Sequence, residues 1–417
     1  MITSVHQGLA QEATSDFGVK PAPKLGLAPM EGVTDFATRL WLAQTSAPDE
    51  ATTPFLRVTK DYPPKRISAN FLPESELSKE HGVVSCVPQL MASDTADFIR
   101  IAEYFLEKVP FVDLNCGCPS PTVVGHGAGS SLLQTPERLW AYLSAAVSAL
   151  GAKKVSVKMR IGFLNESEFP ELLSVVASFP LARLTIHGRT RQDRYSGKAR
   201  WSPVHVASQH ASFPVIGSGD VFDIESFDER MNQAPGAAGV IVGRGALRNP
   251  WLFRELKERQ NKTVVTRKLL KARILLFVLL QELQANYWDP LFDSVRDGDF
   301  SCGSGMDGEL AEDLNHRIAA KIFQNSTLER MLPVEWPISR TSLARGKLLW
   351  NYFRSGLSLA PELSVAILRS IDWQGFLQAL DQSLLRLPDS EICVSYQKEW
   401  DWVYSGSGQK CDSDKVL

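Results

Sequence analysis

Residues 111–161 contain two apolar runs, FVDLNC at 111–116 and KVSVKMRI at 154–161, on either side of PERLWAYLSAAVSAL at 136–150. In the middle stretch apolar residues recur every three to four positions, which predicts an amphipathic helix that begins at Pro136. The flanking runs are short and largely apolar, which is typical of strands buried on both faces. The segment therefore predicts a strand–helix–strand unit with parallel strands.

The same alternation recurs through the first 250 residues. Further helices are predicted at Thr34–Ala43, Thr95–Lys108 and Glu168–Ser178. Eight apolar runs are predicted to be strands: Leu25–Met30, Pro54–Thr59, Val83–Met91, Phe111–Cys116, Lys154–Ile161, Arg183–His187, Phe213–Gly217 and Gly239–Gly243. Eight such units predict an α/β chain folded as a (β/α)8 TIM barrel, in which catalytic groups follow the C-terminal ends of the strands.

After Pro250 the strand pattern stops, and a smaller all-helical domain is predicted to follow the barrel. Its amphipathic stretches lie at 263–285, 316–330, 341–354 and 361–385, with an acidic, Gly- and Ser-rich loop at 289–313. The predicted division of the chain is a disordered tail at 1–23, the barrel at 24–258, the helical domain at 259–390 and a C-terminal tail at 391–417.

Composition excludes several classes of protein. Lys and Arg number 45 against 47 Asp and Glu, so a polybasic nucleic-acid binder is excluded and any such contact must come from local patches. Six cysteines in 417 residues do not form a disulfide framework. The longest apolar run, Ile274–Leu280, is far shorter than the ~20 residues of a membrane helix. With no secretory signal, we expect a cytoplasmic protein that does not bind membranes.

Cys116, at the end of the fourth predicted strand, and Cys118, just after it, differ in their expected environment. Strand alternation turns Asp113 and Asn115 to the barrel interior and Cys116 to the helices, which predicts a buried structural thiol at Cys116. Cys118 follows the strand in a Gly-rich loop at the catalytic rim, where a thiol can act as an acid or nucleophile. A C-x-C redox pair or half a metal site remain alternatives, although no second Cys pair or His cluster accompanies these residues, and we expect no metal.

Two further residues are predicted to face the barrel interior. Alternation in the fifth strand points Lys158 inward, where an ammonium is costly unless an anion meets it. A bound anionic cofactor would meet this need, and an ion pair with Asp113 is the alternative. His187 lies at the end of the sixth strand, and a hydrogen-bonded core histidine is the alternative to a role in the site.

The last two predicted strands are followed by Gly-rich turns, VIGSGDVFD at 215–223 and VIVGRGALRNP at 240–250. Small residues there let backbone N–H groups approach a ligand, and the loops after strands seven and eight of this fold commonly bind phosphate. Arg244 adds a positive charge. Further basic residues at the rim and in the helical domain favour a polyanionic substrate: Arg57, Lys60, Lys65, Arg66, Arg189, Arg191, Arg194, Lys198, Arg200, Arg340, Lys347 and Arg354.

Six motifs within residues 24–255 resemble the tRNA-dihydrouridine synthases. They are LAPMEGVTD (27–35), PQLMASD (88–94), DLNCGCPSPTVVGHGAGSSLL (113–133), VSVKMRIG (155–162), LTIHGRT (184–190) and VGRGAL (242–247). The third motif is most similar to the bacterial C-type branch, which acts on uridine 16 of the tRNA D-loop. The resemblance implies an FMN-binding barrel, a helical tRNA-binding domain, NADPH as reductant and reduction of uridine to 5,6-dihydrouridine; we expect a monomer.

The resemblance also implies roles for individual residues. Cys118 matches the catalytic acid that protonates C5 of the uracil, while hydride from the flavin reaches C6. The residues that match cofactor-binding positions are Pro29, Met30, Glu31, Gln89, Lys158, His187, Ser218, Gly219, Asp220, Gly243 and Arg244. Those that match substrate or tRNA contacts are Arg57, Asn115, Arg160, Arg345 and Lys347. Ser218 stands where the family often has Asn, and the loop 289–313 and both tails are additions.

Two rival functions remain. One is an FMN-barrel oxidoreductase with a small pyrimidine-like substrate, which would give no reason for the helical domain or the rim arginines. The other is a tRNA-binding protein without activity, which would give no reason for Cys118 and Lys158 together.

Overall fold

The computed structural model describes residues 21–67, 71–75, 84–262, 340–354 and 361–372, with 375, 376, 378, 379 and 382. Several predictions fall outside these residues: most of the N-terminal tail, the helices at 263–285 and 316–330, the acidic loop at 289–313 and the tail at 391–417.

The core of the molecule is a sheet of parallel strands. The strands described are β1 (Lys24–Leu27), β2 (Glu50–Thr52), β3 (Leu56–Val58), β4 (Cys86–Val87), β5 (Gln89–Ala92), β6 (Val112–Cys116), β7 (Val155–Arg160), β8 (Leu184–His187), β9 (Val215–Ser218) and β10 (Gly239–Val242). Their order is β3-β5-β6-β7-β8-β9-β10-β1-β2-β4. All eight predicted strands are confirmed, with shifts of a few residues at their ends.

The two ends of this order join, so the sheet is a closed barrel. Only Pro88 separates β4 from β5, and proline has no N–H to continue the ladder. β2 pairs with β4 while β3 pairs with β5, so β2 and β3 form one barrel strand beside another made of β4 and β5. The prediction of a second strand at Pro54–Thr59 missed its first half, Glu50–Thr52.

Helices follow the strands and cover the outside of the barrel. They are α1 (Phe36–Ser46), α2 (Thr95–Leu106), α3 (Pro121–Gly125), α4 (Pro136–Leu150), α5 (Phe169–Ala177), α6 (Ser202–His210), α7 (Ile224–Gln233), α8 (Arg244–Arg248) and α9 (Leu252–Gln260). The prediction for α4 is confirmed at both ends, where Thr135 caps the first turn and Pro136 takes the first helical position. α1 begins later than predicted because Asp35 is its N-cap and accepts a hydrogen bond from the Thr38 N–H.

The outer faces of the strands pack against these helices, while the barrel interior is partly polar. Val112, Leu114 and Cys116 of β6 are fully buried in the apolar core, as alternation predicts. Asp113 between them is also buried, but it hydrogen-bonds to Gln89 and Ser156 inside the barrel. Polar side chains inside a barrel are tolerated when such partners satisfy them.

Beyond residue 262 the described elements are two α-helices, α10 (Arg340–Phe353) and α11 (Pro361–Arg369). α10 lies against α8 and buries Leu349 and Trp350. This agrees with the helical character predicted for that part of the chain. No helix among the described residues is long and apolar enough to cross a membrane.

Candidate functional site

A cavity of about 520 Å³ lies at the C-terminal ends of the barrel strands. Every residue predicted to bind the cofactor lines it, and so do Cys118, Asn115 and Arg160. The cofactor set comprises Pro29, Met30, Glu31, Gln89, Lys158, His187, Ser218, Gly219, Asp220, Gly243 and Arg244. Residues from all eight barrel strands and their loops therefore meet in one place, because parallel strands of a barrel end at the same rim.

The two neighbouring cysteines occupy different environments. Cys116 is fully buried, whereas Cys118 is half-buried and lines the cavity. Burial raises the pKa of the Cys118 thiol and the carboxylate of Glu31 adds to this effect, while Arg160 and Lys158 oppose it. Cys118 is therefore a protonated thiol at neutral pH, which is the state a proton donor needs.

The backbone around Cys118 is held on both sides. Its N–H donates to Asn115 Oδ1 (2.9 Å), and its carbonyl accepts from Ser130 Oγ (2.7 Å). Gly129 has a φ of +59°, and a Cβ there would lie 3.1 Å from the Cβ of Cys118. A side chain at this position would thus be strained and would crowd the cysteine.

Lys158 enters the cavity from β7 with its charge unmatched. Its ammonium makes no hydrogen bond or ion pair with any residue that the structure describes. Burial, with the charge of Arg160, lowers its pKa to about 8. The alternative of an ion pair with Asp113 is wrong: the two charges attract each other only at longer range, and the Asp113 oxygens accept hydrogen bonds from Gln89 and Ser156. An unpaired ammonium in a cavity favours an anionic or electron-rich ligand.

His187 ends β8 among cationic groups. Burial and the charges of Arg160, Lys158, Arg189 and Arg244 hold the pKa of its imidazole well below the usual range. The ring is therefore neutral at physiological pH. Its Nε2 lies 3.4 Å from Arg189 Nη1, which can only donate, so Nε2 accepts this bond and Nδ1 carries the proton of the neutral ring.

The turn after β9 is built around Asp220, whose φ is +55°. Its carboxylate accepts two hydrogen bonds from Arg189 Nη2 (2.9 and 2.8 Å) and one from the Ala199 N–H (2.6 Å). Because this carboxylate is negative and already paired, phosphate contact at Asp220 would have to come from its backbone N–H. Arg189, predicted at a basic rim, is instead buried in this ion pair.

Arg244, in the turn after β10, lines the cavity and is only partly engaged by other residues. Its side chain is 37% exposed, with Nη2 3.7 Å from Asp220 Oδ1. Its guanidinium also lies 5.2 Å from the ring centre of Tyr195. Gly219 precedes Asp220 with a φ of +119°, and a Cβ there would lie 2.7 Å from that of Ala199. Only glycine fits this turn without strain.

Arg160 is largely committed to the protein backbone. Its Nε donates to the Gly117 carbonyl (2.8 Å), and its Nη1 donates to the carbonyls of Thr190 and Arg194 (both 2.8 Å). These bonds tie the loop of Cys118 to the loop after β8. The guanidinium still lines the cavity, and it lies 5.7 Å from the ring centre of Tyr195.

Sequence reasoning missed the aromatic residues of the site. Phe55, Tyr195, Phe222 and Tyr352 all line the cavity. Tyr195 stands between Arg194 and Lys198 in a segment whose pattern is dominated by basic residues, and its ring is 56% exposed at the rim. Tyr352 comes from α10, far along the chain, and no local pattern could have assigned it to the barrel cavity.

The residues predicted to contact tRNA lie in two places. Arg57 is exposed on β3. It lies close to Glu31: burial raises the pKa of the Glu31 carboxyl, and the charge of Arg57 opposes part of that rise. Lys60, Lys65 and Arg66 are exposed in the loop after it.

The other two predicted tRNA contacts, Arg345 and Lys347, do not line the cavity. Arg345 donates to the carbonyls of Gly32 (3.2 Å) and Val33 (2.7 Å), and it also pairs with Asp35. Lys347 donates to the carbonyl of Ser370. In this structure Arg345 thus joins α10 to the loop that follows β1.

In the described part of the chain, no group of three or more His, Cys, Asp or Glu side chains is placed to hold a metal ion. Cys116 and Cys118 are both free thiols.

Comparison with known proteins agrees with this geometry. The family model described as dihydrouridine synthase (Dus) matches residues 26–287. Proteins named tRNA-dihydrouridine(16) synthase are similar to this chain: that of Cupriavidus necator is 36% identical over 55% of this chain and 72% of its own length. That of Pasteurella multocida is 34% identical over 57% and 77%, and that of Neisseria meningitidis serogroup B is 32% identical over 58% and 73%. On the extent of these matches, the chain belongs to the dihydrouridine synthase family.

Proposed function

We propose that this protein reduces a uridine of tRNA to 5,6-dihydrouridine, at position 16 of the D-loop, with bound FMN and with NADPH as the reductant. The observation that carries the proposal is a protonated thiol, Cys118, in the same cavity as an ammonium, Lys158, that has no partner among the residues the structure describes. The substrate and its position follow the names of the relatives in Cupriavidus, Pasteurella and Neisseria.

The residues of the cavity fit FMN. Lys158 would hold the electron-rich pyrimidine edge of the isoalloxazine, because it has a positive charge and no partner among the described residues. Arg244 and the backbone at Gly219 and Gly243 would hold the phosphate, the first by charge and the others by close approach. Pro29, Met30 and Glu31 lie at the same cavity and would contact the ring. When bound, FMN supplies the hydride that C6 of the uracil receives.

Cys118 supplies the other half of the reduction. Its Sγ gives its proton to C5 of the uracil, so that hydride and proton together saturate the C5–C6 double bond, and the thiolate regains a proton from solvent. The raised pKa of Cys118 keeps the proton on sulfur until the base is in place. Asn115, Arg160 and Tyr195 surround the cavity and would orient a uracil drawn out of its stack.

The surface around the cavity would bind the rest of the tRNA. Arg57 is exposed and close to Glu31 of the cavity, and it would contact phosphates together with Lys60, Lys65 and Arg66, which are exposed in the loop that follows. We assign residues 24–258 to the catalytic barrel and 259–390 to a helical tRNA-binding domain, with Arg345 and Lys347 in that surface. A tRNA substrate would place the reaction in the cytoplasm, and we propose that one chain acts as a monomer.

The test is the absorption spectrum of the purified protein, followed by dihydrouridine mapping in tRNA from a deletion strain. We expect a bound flavin, and loss of dihydrouridine at position 16 that the cloned gene restores. A protein that takes up no FMN, or a deletion strain with unchanged tRNA, would refute the proposal. Reduction of free uracil or orotate at ordinary rates would favour the small-substrate oxidoreductase instead.

A further inference from the structure

We propose that Asp113 is a positioning residue that fixes the amide orientations of Gln89 and Asn115 and thereby holds the Cys118 loop, defined as residues 117–120. This role goes beyond the proposed function and rests on it only where Cys118 is taken as the proton donor. None of the roles implied by the family resemblance involves Asp113, which lies below the cavity on β6 and does not line it.

Four hydrogen bonds join Asp113 to the Cys118 loop in an unbroken series. Gln89 Nε2 donates to Asp113 Oδ2 (2.7 Å), and Asn115 Nδ2 donates to Gln89 Oε1 (2.7 Å). Asn115 Oδ1 then accepts from the N–H groups of Gly117 and Cys118 (both 2.9 Å). All three side chains are buried, which strengthens these bonds by limiting competition from water.

The direction of the series is determined by the backbone at the Cys118 end. The N–H groups of Gly117 and Cys118 can only donate, so Asn115 must present its oxygen to them and its nitrogen to Gln89. Gln89 must then present its oxygen to Asn115 and its nitrogen to Asp113, whose Oδ2 accepts. If the amide of Gln89 were reversed, donor would face donor at one end and acceptor would face acceptor at the other.

Asp113 is itself held from the neighbouring strand. Ser156 on β7 donates to Asp113 Oδ1 (2.5 Å), and the strand register places Asp113 opposite both Gln89 and Ser156. Burial raises the pKa of Asp113, while the charge of Arg183 and these two hydrogen bonds oppose the shift. The barrel interior thus supplies a fixed acceptor beneath the cavity.

The first test compares Asp113→Ala with Asp113→Asn in the purified holoenzyme. The readout is hydrogen–deuterium exchange of the peptide that contains Gly117 and Cys118, measured without tRNA. Asp113→Ala leaves Gln89 free to rotate, and we expect exchange about ten- to one hundred-fold faster, the value of a hydrogen bond to a charged group. Asp113→Asn retains an oxygen for Gln89, so exchange should stay at the wild-type rate.

Ser156→Ala is the matched control, because it removes the other hydrogen bond of Asp113 and leaves the one to Gln89 intact. It should leave exchange in the Cys118 loop unchanged. Equal exchange in wild type and a folded Asp113→Ala variant would overturn the proposal.

A second test, in which the amide of Gln89 and the carboxylate of Asp113 are swapped, applies if Asp113→Ala does not fold. Gln89→Glu places two buried carboxyl groups in contact, and such a pair can share one proton. At a pH high enough to ionise both, neither can donate to the other, and exchange should be faster than in the wild type at the same pH. In the double variant Gln89→Glu with Asp113→Asn, the new amide donates to the new carboxylate, which still accepts from Asn115, so the wild-type exchange rate should return. A double variant as fast as Gln89→Glu alone would overturn the proposal.

The two proposals fail separately. Exchange does not depend on dihydrouridine formation, so an enzyme inactive on tRNA would refute the proposed function and leave the role of Asp113 open to this test. Unchanged exchange in an active enzyme would refute only the role of Asp113.

Discussion

Replacing Cys118 by alanine should abolish nearly all dihydrouridine formation while flavin binding and tRNA binding persist. The thiol is half-buried beside Phe55 and the apolar cluster that contains Val123, so the change removes one sulfur atom from a site that stays packed. Its raised pKa keeps it protonated at neutral pH, so what the variant loses is the proton for C5. General acid catalysis is worth about 10²–10⁴-fold, and we expect a rate loss in that range.

Cys116→Ala is the matched comparison, two residues away and on the other face of β6. Cys116 is fully buried in the apolar core, and burial with the nearby charge of Asp113 raises the pKa of its thiol, so it neither reaches the cavity nor ionises. We expect a loss of about 1 kcal/mol of folding free energy, the typical effect of a point substitution. For a domain of this size the melting temperature should fall by about 2–4 °C, with activity retained.

The assay is a single turnover with pre-reduced enzyme and unmodified tRNA, which separates protonation of the uracil from reduction of the flavin. An inactive Cys116→Ala together with an active Cys118→Ala would refute both the alternation argument and the assignment of the acid. Flavin content measured on the same samples identifies any variant that has lost its cofactor.

Three other outcomes are expected. Lys158→Met should weaken flavin binding because the ring loses its cationic partner. In the wild type, the affinity for flavin should be full below pH about 8 and fall as pH rises through the pKa of Lys158. A flavin affinity that does not change with pH would contradict this. Arg189→Ala should cost about 3–5 kcal/mol in denaturant unfolding because it removes the buried cation that pairs with the buried carboxylate of Asp220. Arg259→Ala breaks an exposed pair and should cost less than about 1 kcal/mol, and equal losses would refute the argument. Arg57→Glu should lower tRNA affinity and flatten its salt dependence with flavin content unchanged, and an unaltered salt slope would remove Arg57 from the tRNA surface.

Local sequence was sufficient for the barrel and for the contrast between the two cysteines. Strand alternation has a period of two, so the apolar residues of β6 separate Cys116 from Asp113 and Asn115 without knowledge of the fold. Helix α4 was predicted at both ends because its cap and its first proline lie in the sequence next to the apolar repeat. Such features depend on neighbours within a few residues, which is why they can be predicted from sequence.

Tertiary structure decided which charged and polar groups are already paired. The sequence shows Asp220, Arg189 and Arg345 as candidates for ligand binding, yet Arg189 neutralises Asp220 and Arg345 bonds to the loop at Gly32. It also shows Gln89 and Asn115 as separate residues, with no sign that one series of hydrogen bonds joins them to Asp113. Each of these pairings joins residues distant in sequence or on different strands, and pairing energy depends on three-dimensional distance, which no periodicity encodes.

The closure of the barrel and the composition of the cavity were also decided by tertiary structure. Periodicity predicts strands, but it does not show that the second barrel strand is divided into β2 and β3. That division follows from their partners, β4 and β5, which are separated by Pro88. Tyr352 reaches the cavity because α10 packs against α8, a contact between segments about one hundred residues apart. The sequence by itself determined the strands, the helices and the residues able to carry chemistry; the packing of distant segments decided which of those residues remain free to act.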